Sequence, residues 1–221
     1  MVWRGRASVA FKGIPVPRGG TVVCPTLFLR VTTAEKQESI TRKIENMRKI
    51  ILNIAASLDQ RIAEPDGSLD WLAGLPNPNK SDDSYKDLLA SVDTVLMGGR
   101  TYREFQNMDI IWPYPEQMTY VISHHDWGAK ENVHFITENI IETIFALRHE
   151  PGKDILLAGG GELVSMLLSA NLIDEMRITF LPVTLGKGIP LFPEQVKTGD
   201  WKLIGCKNDA DILRVEYRRT I

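Results

Sequence analysis

From Arg48 onward the chain alternates short apolar runs with stretches of helical period. Residues 50–56 carry Ile50, Ile51, Leu52, Ile54, Ala55 and Ala56 with one polar interruption, the pattern of a central strand buried on both faces. Residues 57–63 lead from it into a polar loop at 64–68, centred on Pro65-Asp66-Gly67, and Pro76-Asn77-Pro78-Asn79 breaks the chain again. Ser81 is placed to cap a helix whose inner face is Tyr85, Leu88, Leu89 and Val92. Residues 93–97 predict a second buried strand, 118–122 a third and 133–136 a short fourth. Asn139 opens a helix with Ile140, Ile144 and Leu147 inward, Arg148 and His149 in its last turn and Pro151-Gly152 as its stop. Residues 155–158 form another apolar run, and Leu163, Met166, Leu167 and Ala170 give the inner face of the helix after it. Residues 174–184 begin as an alternating strand, residues 185–193 turn away, and residues 201–206 and 212–218 predict a closing hairpin. Strands alternating with helices, then a strand-rich end, predict a three-layer α/β domain whose mostly parallel mixed sheet acquires antiparallel C-terminal strands.

Two of these strands end in glycine. Residues 155–158 run into Gly159-Gly160-Gly161 and a helix start, and residues 93–97 run into Gly98-Gly99-Arg100-Thr101. Thr101 and Glu104 have the spacing of a capping box, which predicts that the second of these helices starts at Thr101. Each turn alone is either a plain strand-to-helix connection or a phosphate-friendly one, since a helix start offers free N–H groups and glycine lets a ligand reach the backbone. Neither is a Rossmann or Walker motif: Val164 stands where a third Rossmann glycine belongs, and no Gly-Lys-Ser/Thr follows. The same construction made twice, with Arg100 beside one copy, points to a ligand bearing a diphosphate at the carboxyl ends of the strands.

Composition narrows the classes. With 221 residues and 43% hydrophobic content the chain can bury one sizeable core. A formal net charge of -2 gives no general reason to bind nucleic acid or an anionic membrane, and no apolar run is long enough to span a bilayer. Cys24 and Cys206 lie far apart without zinc or CxxC spacing, which fits a reducing, cytoplasmic setting. The histidines form no metal pattern, so no metal site is expected. Residues 1–47 read differently. Pro15, Pro17, Gly19, Gly20 and Pro25 crowd together, and basic residues precede any acidic one. That bias fits a targeting segment, whereas scarce serine and the absence of an amphipathic period fit an extension upstream of Met47. On either reading residues 1–40 are expected to be poorly packed, with the folded domain at 48–221.

The succession Ile54-Ala55-Ala56-Ser57-Leu58-Asp59, Asp70-Trp71, Asp93-Thr94-Val95-Leu96-Met97-Gly98-Gly99-Arg100-Thr101-Tyr102, Tyr120-Val121-Ile122-Ser123 and Gly159-Gly160-Gly161-Glu162-Leu163 resembles the dihydrofolate reductase superfamily. Within it the chain is most similar to the reductase domain of bacterial riboflavin biosynthesis and its small stand-alone relatives, from about Lys49 to the C-terminus. The resemblance implies the superfamily's fold and NADPH as cofactor. Ala55 would offer its backbone to the nicotinamide carboxamide. Gly98, Gly99, Arg100 and Thr101 would meet phosphate at one helix start, while Gly159, Gly160, Gly161, Glu162 and Leu163 would hold the pyrophosphate at the other. Ser123 would lie by the adenosine.

Two departures from the folate reductases matter. Gly99 stands where they commonly carry the arginine that reads the 2'-phosphate, which leaves Arg100, one place later, as the expected reader. Pro76 stands where they carry the substrate carboxylate, five residues beyond the tryptophan matched by Trp71, which argues against dihydrofolate as substrate. The nearby acid is Asp70, either a substrate-side acid or an N-cap, and Trp71 either stacks on substrate or fills the core beneath its loop. Asp59 is expected to brace the loop after the first strand. The zinc signature of the deaminase half that accompanies some riboflavin reductases cannot be built from two distant cysteines, so deaminase chemistry is not expected of these residues.

The resemblance therefore implies an NADPH-dependent reductase acting on a small heterocyclic, imine or carbonyl substrate, such as a 5-amino-6-(5-phosphoribosylamino)uracil-like compound. It also implies a homodimer paired through a sheet edge or the C-terminal strands. The alternative is a non-catalytic or regulatory dinucleotide-binding protein that kept the cleft and lost the substrate acid. A bare interaction module leaves both glycine turns unexplained.

Overall fold

The computed structural model describes residues 47–72, 83–108, 111–128, 130–192, 198–209 and 211–220. The expected looseness of residues 1–40, the Ser81 cap and the surroundings of Pro76 lie outside them. The apolar run after Arg48 forms β1 (Ile50–Ser57), and its period of two divides its side chains between two cores. Ile50, Leu52 and Ala56 enter one core and Ile51 the other. The other strands of the main sheet are β3 (Val92–Gly98), β4 (Met118–Ile122), β5 (Val133–Ile136), β6 (Asp154–Leu157), β7 (Glu175–Leu181), β9 (Trp201–Asp209) and β10 (Ile212–Arg219). They lie in the order β5-β4-β3-β6-β1-β7-β10-β9, parallel except at β10, which runs antiparallel to both β7 and β9.

Parallel neighbours require crossovers, and the helices supply them on both faces. Helices α3 (Ile140–Leu147) and α4 (Gly161–Ser169) cover the face of Ile50 and Leu52 with Ile144, Leu147, Leu163, Val164 and Leu167. Helices α1 (Asp83–Ser91) and α2 (Gly99–Asn107) cover the face of Ile51 with Leu88, Tyr102 and partly buried Tyr85 and Phe105. The result is the three-layer α/β arrangement expected, with β1 central and the C-terminal hairpin antiparallel.

Three local expectations are corrected. Helix α2 starts at Gly99, not Thr101: Gly98 is its N-cap, in extended conformation and with no side-chain cap, so Thr101 lies inside the first turn and forms no capping box. The strand runs directly into the helix, and the turn is made by glycine backbone before Thr101 is reached. In α4 the sheet selects Leu163, Val164, Leu167 and Leu168 as the inner face, while Met166 is 37% exposed. Residues 61–63 are not simply a lead into a loop but β2 (Arg61–Ala63), which pairs with β8 (Ile189–Pro190) in a two-stranded sheet. Arg148 stands at the end of α3 as expected, and there it is buried and gives Asp174 two hydrogen bonds of 2.9 and 3.0 Å.

That pair belongs to a polar network at the amino ends of the strands. Arg48 is buried against Asp93, with Thr94 beside them, and the Glu175 carboxylate takes Lys49 at 3.2 Å and Arg218 at 3.0 Å. Burial raises the Glu175 pKa, but those two cations outweigh it and hold the carboxyl below its usual range. Charges removed from water are tolerated where they are paired in this way. The opposite edge of the sheet, where β1, β3, β4, β5, β6 and β7 end, is left open.

Candidate active site

At that open edge the two glycine turns touch. The Gly98 N–H donates to the Gly159 carbonyl at 3.2 Å, and a Cβ built on Gly160 would lie 3.3 Å from the Gly98 Cα. Gly159 and Gly160 have φ of 112° and 95°, values that side chains other than glycine rarely adopt. Gly161 is fixed by packing alone, because a Cβ there would lie 3.0 Å from the Ile189 side chain. The glycines thus have steric reasons of their own. What points to a ligand is their consequence: two neighbouring helix starts, α2 and α4, neither with a side-chain cap. Their first N–H groups and positive dipole ends meet at one place, which suits a diphosphate. Arg100 and Glu162 lean across the two starts at 3.8 Å, both largely exposed.

A cleft of about 1100 Å³ opens along this edge. Ala55, Gly98, Gly99, Arg100, Thr101, Ser123 and the whole of Gly159, Gly160, Gly161, Glu162 and Leu163 line it, so every residue expected to meet the cofactor is brought to one surface. Ser123 follows β4, where its N–H donates to the Ile136 carbonyl at 3.1 Å and its Oγ accepts from the His125 N–H at 3.0 Å. The volume suits a dinucleotide together with a small ring.

Asp70 and Trp71 are placed differently. They form a single 3-10 turn, Asp70–Leu72, from which Leu69 and Leu72 line the cleft and Asp70 and Trp71 do not. Asp70 is exposed, and its N–H donates to Ser68 Oγ at 3.0 Å. The Trp71 Nε1 is buried without a hydrogen-bond partner among the described residues.

Asp59 braces the loop after β1, as expected, and the structure shows how. Its carboxylate accepts hydrogen bonds from Ser57 Oγ at 2.7 Å, the Leu185 N–H at 3.0 Å and the Gly186 N–H at 2.8 Å. Ser57 Oγ in turn accepts from the Arg61 N–H at 2.8 Å. One side chain therefore ties the turn after β1 to the loop between β7 and β8. The Ser57 hydroxyl first, then the backbone N–H groups, lower the Asp59 pKa to about 2.

Several lining residues were not picked out from the sequence. Asn53 is the one polar residue within the apolar run of residues 50–56, a signal that was available. Thr179 pairs with Ala55 across the β1–β7 ladder and lines the cleft beside it. Tyr85 and Tyr114 line the cleft from the α1 and α2 side, and burial pushes both phenols above their usual range, Tyr114 well above. Both keep their protons at neutral pH and can donate hydrogen bonds. Trp127 and Arg103 close the end near Ser123.

The profile of the RibD C-terminal domain family matches residues 48–213. YwjB of Bacillus subtilis (strain 168), itself uncharacterized, is 38% identical over 173 residues, which cover 78% of this chain and 98% of that protein. A candidate riboflavin biosynthesis protein of Shewanella sp. PV-4 superposes with a TM-score of 0.69 at 32% identity, over 78% of this chain and 99% of that one. Dihydrofolate reductase of Enterococcus faecalis, solved with NADP(H) and RAB-propyl, shares the fold at a TM-score of 0.58 and 19% identity, over 78% of this chain and 97% of that one.

Proposed function

Because this chain belongs to the RibD C-terminal domain family, we propose that it is an NADPH-dependent reductase that delivers hydride to a small heterocyclic, imine or carbonyl substrate. A 5-amino-6-(5-phosphoribosylamino)uracil-like compound is the first candidate. The observation that carries this reading is the contact of the Gly98 and Gly160 turns, which sets two uncapped helix starts side by side on one cleft.

When bound, the dihydronicotinamide supplies the hydride; the chain binds, orients and excludes water. The backbone around Gly98 and Gly160 meets the pyrophosphate, and Arg100 adds positive charge beside it. Ala55, at the end of the central strand, holds the carboxamide. Ile54, Ile62, Leu69 and Leu72 supply apolar walls that keep water from the reacting ring. Asp59 fixes the position of the turn between β1 and β2, from which Ile62 lines the cleft. Residues 48–221 make up this domain, and the exposed Leu203 and Ile204 on β9, the outer edge of the sheet, support pairing with a second copy.

The second reading, a nucleotide-binding protein without chemistry, is supported by the position of Asp70 and Trp71 away from the cleft wall. Incubation with NADPH and a panel of pyrimidine, pterin and flavin-precursor substrates separates the two. Oxidation of NADPH that depends on one of these substrates supports the reductase, whereas tight NADPH binding without oxidation by any of them favours the second reading.

A further inference from the structure

From the sequence, Arg100 is the residue expected to recognise the phosphate that distinguishes NADPH from NADH, in place of an arginine at Gly99. A larger residue at Gly99 would press on its neighbours, which would have to give by a few tenths of an ångström. A Cβ there would lie 3.1 Å from Ser123 Cβ and Oγ and 3.2 Å from the Trp127 ring. An arginine at this position would crowd Ser123 and the indole from its Cβ onward.

Arg100 faces elsewhere. Its guanidinium is 3.8 Å from Glu162, and its Cδ lies 4.0 Å from where a Gly67 Cβ would be. Its charge therefore sits between the α4 start and the loop around Gly67, where a carboxylate partly offsets it.

Arg103, one helical turn beyond Gly99 and Arg100, faces the Ser123 end. Its Cζ lies 5.9 Å from the centre of the Trp127 ring, and it lines the cleft together with Ser123, His124 and His125. Trp127 is itself held in place. It stacks on Tyr102 at 5.9 Å with 13° between the planes, and meets Phe135 edge-on at 5.5 Å. A guanidinium over an indole is attracted by the ring while its in-plane N–H edge stays free, and that edge matches two oxygens of a phosphate. Among the described residues Arg103 has no carboxylate partner within ion-pair distance.

We propose that Arg103, seated over Trp127, reads the 2'-phosphate of the adenosine, in place of both the arginine that Gly99 displaces and Arg100. This rests on the dinucleotide reading above. Arg103 is then the specificity residue, Trp127 its positioning residue, and Arg100 serves the pyrophosphate common to both dinucleotides.

The test measures dissociation constants of the full chain for NADPH, NADH, 2',5'-ADP and 5'-ADP by calorimetry, with inorganic phosphate as control. Arg103→Ala is expected to weaken NADPH and 2',5'-ADP by about ten- to a hundredfold, the loss of a hydrogen-bonded charge pair, and to leave NADH and 5'-ADP within about twofold. Arg103→Lys recovers part of the loss, since an ammonium keeps the charge without the fork. Arg100→Ala weakens NADPH and NADH by similar factors, and Trp127→Phe, which keeps an aromatic face under Arg103, retains more NADPH preference than Trp127→Ala. Equal losses of both dinucleotides in Arg103→Ala, no loss of either, or a selective loss in Arg100→Ala overturns the assignment. Wild-type binding of both dinucleotides without preference overturns it while leaving the reductase reading intact. Binding of neither overturns both, and an effect matched by inorganic phosphate alone marks a general anion site and overturns it too.

Discussion

Asp59 accepts from Ser57, Leu185 and Gly186, and this carboxylate adds to the backbone bond from the Leu58 N–H to the Val183 carbonyl in joining the two loops. Its pKa of about 2 lies below the ordinary carboxylate value, so the folded state favours the ionised form. The resulting stabilisation is fully present above the ordinary pKa of about 4 and is lost as the pH falls through about 2. Carboxyl chemical shifts followed with pH should show Asp59 titrating near the lower value; titration near 4 would mean that the three hydrogen bonds are not formed in solution. Asp59→Asn should speed hydrogen exchange at the Leu185 and Gly186 amides, because a neutral amide is a weaker acceptor. Sequence reading found this brace and the glycines, whose chemistry is local. It passed over Asn53, although a polar residue inside a buried run is itself a signal, and over Thr179, which joins the site only through the β1–β7 register. Trp127 was equally hidden, since only the folded chain brings it against Gly99.

At the scale of elements, the strand-to-helix connections carry the site. The α4 connection needs glycine at position 160 for two independent reasons, a φ of 95° and a distance of 3.3 Å from a new Cβ to the Gly98 Cα. Gly160→Ala should therefore cost about 1–3 kcal/mol in denaturant unfolding and weaken NADPH at the same time. An unchanged midpoint would show that the two turns are not in contact. The existence and order of the strands and helices were legible because their periods are strong. Helix boundaries and faces were less so. Thr101 and Glu104 have capping-box spacing, yet the backbone turns at Gly98 first, and Met166 shares a helical period with Leu163 but falls outside the face chosen by the sheet.

For the whole molecule, parallel pairing around β1 collects the ends of six strands at one edge, and that edge is where residues distant in sequence form the cleft. Alternation of strands and helices made the fold class readable. The strand order and the β2–β8 pair were not, because long-range pairing leaves little local trace. At the far side of the sheet β9 presents Leu203, 51% exposed, and Ile204, 38% exposed, on an edge strand. If a second copy pairs there, Leu203→Lys should shift the sedimentation profile from dimer to monomer while the far-ultraviolet circular dichroism stays unchanged; a wild-type monomer at the same concentration removes this edge as a dimer interface. The most direct test of the central claim, that the paired glycine turns hold a nicotinamide dinucleotide, is calorimetric titration of the purified chain with NADPH. The account predicts saturable binding of one NADPH per chain, weakened in Gly160→Ala. Absence of binding, or binding indifferent to that substitution, would contradict it.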